Sequence, residues 1–116
     1  MKIGDVIECS IWYGPQRGVS IGRVNRGIYY NPRFTTVTVN VDGEECIVDF
    51  REFPGFWRKC PEIRVAKDHH GRNRLKEFIE TRNLLPPKES VEVKGHKDVV
   101  YLRVVKPYRK FMLSEQ

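Results

Sequence analysis

The sequence predicts a mostly β fold, a small barrel or pseudobarrel of about seven strands with one main α-helix. Three observations lead there. Residues 35–50 read as a β-hairpin with one self-consistent register. Short apolar runs recur along the chain, separated by glycine, proline and asparagine. A single segment, residues 74–83, carries a convincing helical period.

Met1 to Trp12 reads as the first strand, with Ile3, Val6, Ile7 and Ile11 as its apolar positions and a turn or bulge at Gly4-Asp5. Residues 13–18, YGPQRG, form a loop. Val19 to Val24 is the second strand. Residues 25–33 connect it to the hairpin, with Tyr29 and Tyr30 at the centre; Pro32 cannot donate to a ladder, so the next strand starts after it.

In the hairpin, Val37, Val39 and Val41 alternate with Thr36, Thr38 and Asn40, the period of two of a half-buried strand. Asp42-Gly43 suits a type I′ turn, which needs positive φ at both positions. A two-residue loop pairs Val41 with Glu44, Val39 with Cys46, Val37 with Val48 and Thr35 with Phe50. That register gathers nearly every apolar side chain on one face.

Pro54-Gly55 is a turn signal, followed by Phe56, Trp57, Arg58 and Lys59 and then a short strand from Glu62 to Ala66. In the helix, Leu75, Phe78 and Ile79 share one face, Asn73 is a candidate N-cap, and Pro86-Pro87 prevents continuation beyond Leu85. Two closing strands are expected: Ser90 to Lys94, with Val91 and Val93 inward, and Val99 to Val105, with Val100, Leu102 and Val104 inward. The chain thus divides into one barrel domain, residues 1–106, and a C-terminal tail, residues 107–116.

At 116 residues the chain suits one domain with one modest core. No apolar run approaches the length of a membrane helix. The opening MKIGDVIECSIW carries acids where a signal peptide needs an uninterrupted apolar stretch, which predicts an intracellular protein, cytoplasmic or nuclear. Cys9, Cys46 and Cys60 are odd in number and lack a CxxC spacing, as free thiols in a reducing compartment would be.

The net charge of +6 is unevenly spread. Residues 1–50 hold 5 Lys/Arg against 6 Asp/Glu, and residues 51–116 hold 16 against 9. Such asymmetry points to a polyanion partner.

The order of elements from Thr35 onward resembles the DNA-binding pseudobarrel of plant transcription factors (the B-three domains) and the related effector domains of some restriction endonucleases. The residues that carry the resemblance are Asp42-Gly43 at the turn, Phe78-Ile79 in the helix, Asn83-Leu84 at its exit, and Val91, Val93, Leu102 and Val104 in the closing strands. It covers about residues 35–105. Lys88-Glu89 stands where the family usually has Gly-Asp, and Cys46 or Ile47 where it often has Trp. The resemblance implies two arms that grip duplex DNA, here residues 13–23 and 51–64.

The residue chemistry agrees with that expectation. Arginine offers a planar fork for guanine, and lysines hold phosphates. The candidate nucleic-acid-binding residues are Gln16, Arg17, Arg23, Arg51, Arg58, Lys59, Arg64, Arg72 and Arg74, with further phosphate contacts from Lys106 to Lys110. Each is also a candidate for a merely solvated charge. Phe56 and Trp57, with Phe53, are open to three roles: core packing, base stacking, or a protein-interface anchor.

Asp68-His69-His70 with Asn73 is similar to the start of an HNH-type nuclease motif, but no suitably spaced later His or Asn follows. A zinc site from Cys60, His69 and His70 lacks regular spacing. No catalytic residue, metal or cofactor is therefore expected. The expectation is a non-catalytic nucleic-acid-binding module, duplex DNA favoured. The alternatives are a single-strand or RNA-binding barrel and a regulatory module that docks on a partner enzyme.

Overall fold

A computed structural model of the chain describes residues 2–12, 17–22, 25–29, 31, 33–51 and 62–116. It shows a mostly β architecture. The strands are β1 (Val6–Trp12), β2 (Gly18–Ser20), β3 (Thr36–Val41), β4 (Glu44–Asp49), β5 (Glu62–Ile63), β6 (Val99–Lys106) and β7 (Lys110–Ser114). The helices are the single turn α1 (Arg26–Tyr29), the main helix α2 (Arg74–Thr81) and the short α3 (Pro87–Glu92).

The strands form one sheet in the order β4-β3-β7-β6-β1-β2-β5. Its two ends meet. Ile47 of β4 and Lys67, just beyond β5, exchange both backbone hydrogen bonds, at 2.8 and 3.1 Å. The sheet therefore closes into a pseudobarrel. Every neighbouring pair is antiparallel except β3 and β7, which run parallel.

Alternation along each strand sends one set of side chains inward, and the registers stack those sets into rows. Cys46, Val39, Phe111 and Val104 form one row across four strands. Leu113, Leu102 and Ile7 form a second, and Ile11, Val19 and Ile63 a third. All of these are buried. Leu75, Phe78 and Ile79 of α2 join the same core, with Leu84 just past the helix end. Tyr29 of α1 reaches in between Phe50 and Phe111, its ring centroid 5.2 and 5.3 Å from theirs. Gly18 is required by close packing: a Cβ there would lie 2.7 Å from the carbonyl oxygen of Ile63.

The hairpin has the register its sequence dictates, from Val41 opposite Glu44 to Val37 opposite Val48. Asp42 and Gly43 adopt φ of 54° and 86° at the turn. Asn73 caps α2: its Oδ1 accepts from the Lys76 amide at 3.4 Å and also from the Ala66 amide at 3.2 Å.

Three expectations are corrected. In β1 the inward residues are Ile7, Cys9 and Ile11, while Val6 faces out and Ile3 lies exposed before the strand. Residues 90–94 are not a strand. Pro87 sits at the first position of α3, where its fixed φ favours a helix start, and Glu89 adds an acid to the first turn. Val91 is consequently 86% exposed, and neither it nor Val93 reaches the core. The third concerns residues 107–116. They are no tail, since β7 lies between β3 and β6 and buries Phe111 and Leu113. β7 takes the place in the seven-strand count that residues 90–94 vacate.

Among the described residues no helix is long and apolar enough to cross a membrane.

Candidate nucleic-acid interface

Of the predicted contact residues, Gln16, Arg23, Phe56, Trp57, Arg58 and Lys59 lie outside the described residues, as do Phe53 and Cys60. The other five can be placed, and each meets a carboxylate.

Arg51 and Asp49 sit two residues apart at the end of β4, so their side chains leave the same face. The Arg51 guanidinium donates to both Asp49 carboxylate oxygens, the closest contact being 2.8 Å. This holds the Asp49 carboxyl below its usual range. Glu62 of β5 and Arg64, just past its end, share the same i, i+2 relation, at 3.5 Å, and the Arg64 guanidinium lies 4.1 Å over the Trp12 ring. Burial raises the Glu62 carboxyl and Arg64 opposes that shift. Arg17 pairs with Glu89 at 3.2 Å, joining the start of β2 to α3.

Arg72 and Arg74 flank the start of α2, where positive charge opposes the helix dipole. Glu77 in the first helical turn answers both, with Arg74 at 2.9 Å. The preceding turn is organised by Asp68, whose carboxylate accepts from the Arg72 amide at 3.0 Å and the His70 amide at 2.9 Å. Those amides, Arg72 first, hold the Asp68 carboxyl below its usual range. Asp68 is thus committed to the turn, and the His69 and His70 rings lie against each other at 3.9 Å. Among the described residues no cluster of three or more His, Cys, Asp or Glu is placed to hold a metal.

A different set of cations is left available. The β6–β7 turn and the segment entering β3 enclose a groove of about 320 Å³. Arg33, Lys106, Arg109 and Lys110 supply its charge, and among the described residues no carboxylate lines it. Lys110 makes one contact with Glu45, at 3.3 Å between exposed groups. Asp49, opposite Thr36 across β3 and β4, is already occupied by Arg51.

Local structure fixes this groove. The Arg109 amide donates to the Lys106 carbonyl at 3.0 Å, closing the turn, and the Thr38 amide donates to the Arg109 carbonyl at 2.8 Å, docking the turn on β3. Tyr108 takes φ of 61°, a backbone state that costs a bulky residue and that is found where a turn has a special task. A bulge at Val105 brings Lys106 opposite Lys110. The Arg109 guanidinium lies 4.9 Å from the centroid of the Phe34 ring, a contact that orients it without consuming its N–H donors.

Lys106 to Lys110 were expected to touch phosphate, and the groove contains them. Arg33, Phe34 and the threonines beside them were missed. About seventy residues separate the two halves of the groove, and no local spacing announces their meeting. The chain matches no protein-family model, no curated protein and no solved structure.

Proposed function

We propose that the protein is a non-catalytic nucleic-acid-binding module, with duplex DNA the favoured ligand and the Arg33–Lys106–Arg109–Lys110 groove its principal contact. The observation that carries this reading is the convergence of four cations on one groove that, among the described residues, no carboxylate lines. Elsewhere the described arginines of the two expected arms are matched by acids, so they contribute to the fold before they contribute to binding. Arg103, on the outer face of β6, adds positive charge along the strand that leads to the groove.

The test is a fluorescence-polarisation titration of duplex DNA, single-stranded DNA and RNA at two salt concentrations. Four engaged cations give a slope near −3.6 in log K against log salt for a duplex, so affinity falls on the order of a hundredfold between about 50 and 200 mM salt. Tighter binding of single strands or RNA than of duplex moves the ligand assignment to those. Binding unchanged by salt defeats the reading.

A protein-docking role has its own support. Val6, Arg103 and Met112 stand in one outward row across β1, β6 and β7, and Val6 and Met112 are 47% and 42% exposed. Capture of a partner that survives nuclease and high salt, and is lost in Met112→Glu, supports this second reading.

A further inference from the structure

We infer that the groove between the β6–β7 turn and the start of β3 is a seat for a terminal phosphate, the phosphomonoester at the end of a nucleic-acid strand. This deepens the nucleic-acid reading and rests on it.

The first argument is charge. A phosphodiester within a strand carries one negative charge, whereas a terminal phosphomonoester carries close to two at neutral pH, its second pKa being about 6. A protein that tracks a continuous backbone distributes its cations along a path. Here four converge on a single depression whose volume is at the small end for a ligand pocket. Among the described residues neither Arg33 nor Lys106 makes an ion pair. The Lys110–Glu45 pair is exposed on both sides and therefore yields easily to a stronger anion.

The second argument is hydrogen bonding. Thr35, Thr36 and Thr38 also line the groove, and none of their hydroxyls is engaged by another described residue. A monoester presents three strong acceptor oxygens, one more than the two free oxygens of a diester. Two guanidinium forks, two ammonium groups and three hydroxyls can saturate all three.

The third is preorganisation. Arg109 is held by its amide, its carbonyl and the Phe34 ring before any ligand arrives. The site thus loses little freedom on binding.

The experiment compares one short strand bearing a 5′-phosphate, a 3′-phosphate or hydroxyls at both ends, alone and as a duplex, with a label placed internally. The phosphorylated forms should bind roughly tenfold more tightly than the hydroxyl form. The gap should vanish in Arg33→Gln/Arg109→Gln and shrink in Lys106→Gln, which leaves the Arg109–Phe34 contact intact. The preferred end identifies which terminus is seated. Equal binding of all three forms, still sensitive to salt, overturns the terminal seat and leaves the nucleic-acid reading standing. If no strand binds, both the terminal seat and the nucleic-acid reading fall, even where pyrophosphate raises the melting temperature of the wild type and not of the double variant.

Discussion

Arg82 grips Asp42 with both terminal nitrogens of its guanidinium, tying the end of α2 to the hairpin turn. The same guanidinium lies 4.1 Å over the Phe78 ring and approaches Glu115 at 3.5 Å, so one side chain links helix, hairpin and the residue after β7. Asp42 also occupies left-handed backbone, which separates two contributions experimentally. Asp42→Asn keeps a residue that tolerates that conformation and removes the ion pair, at a cost of up to about 1 kcal/mol. Asp42→Ala should cost about 1–2 kcal/mol more, from backbone strain. Equal urea midpoints for the two variants would show that the turn is not strained.

Phe111 is the central side chain of a row spanning four strands. Phe111→Ala should cost about 3–5 kcal/mol, a large share of the stability of a domain this size. Ending the chain after Lys106 should abolish the cooperative unfolding transition altogether, since β3 and β6 then lose their common neighbour.

Burial raises the Cys9 thiol from its ordinary value of 9.0 to about 12 and the Cys46 thiol to about 11. Both groups bind their protons more tightly when folded. Their stabilising contribution is therefore full below pH 9 and disappears as pH climbs toward those raised values. In a Cys60→Ser background, neither thiol should react with a disulfide reagent at pH 8 until denaturant is added. Rapid native labelling of either one contradicts the burial of the row that contains it.

Cations in the groove and cations in the arms should differ in the salt dependence of DNA binding. Lys106→Gln and Arg109→Gln should each lower the slope by about one. Arg51→Gln and Arg72→Gln should leave it nearly unchanged, because each guanidinium is already held by a carboxylate and releases no counterion from the phosphates. The reverse pattern would return the interface to the arms.

The hairpin was legible because only one register aligns Val37, Val39 and Val41 with Cys46 and Val48, and a slip of one residue would bury Glu45. The main helix was legible from Leu75, Phe78 and Ile79 together with the Asn73 cap. Residues 110–114 carry the same kind of alternation, Phe111 and Leu113 inward, but the apolar Met112 on the outer face blurred it. In residues 90–94 two alternating valines suggest a strand, and Pro87, which stops a preceding helix, also starts a new one. The candidate site is harder to read for a different reason. Counting arginines measures charge density and ignores what each guanidinium already holds. Asp49 with Arg51, and Glu62 with Arg64, are pairs that period-two geometry places on one face, and that much could have been read from the sequence.

The parallel seam between β3 and β7 also has a kinetic consequence. A ribosome delivers β3 some seventy residues before its partner, and β1 must likewise wait for β6. Until then the early hairpin presents an unpaired edge, open to other nascent chains. High contact order of this kind slows barrel closure to the later part of the folding time course. Conditions that crowd or stall the emerging chain should therefore lower the soluble yield more than they lower the stability of the finished protein.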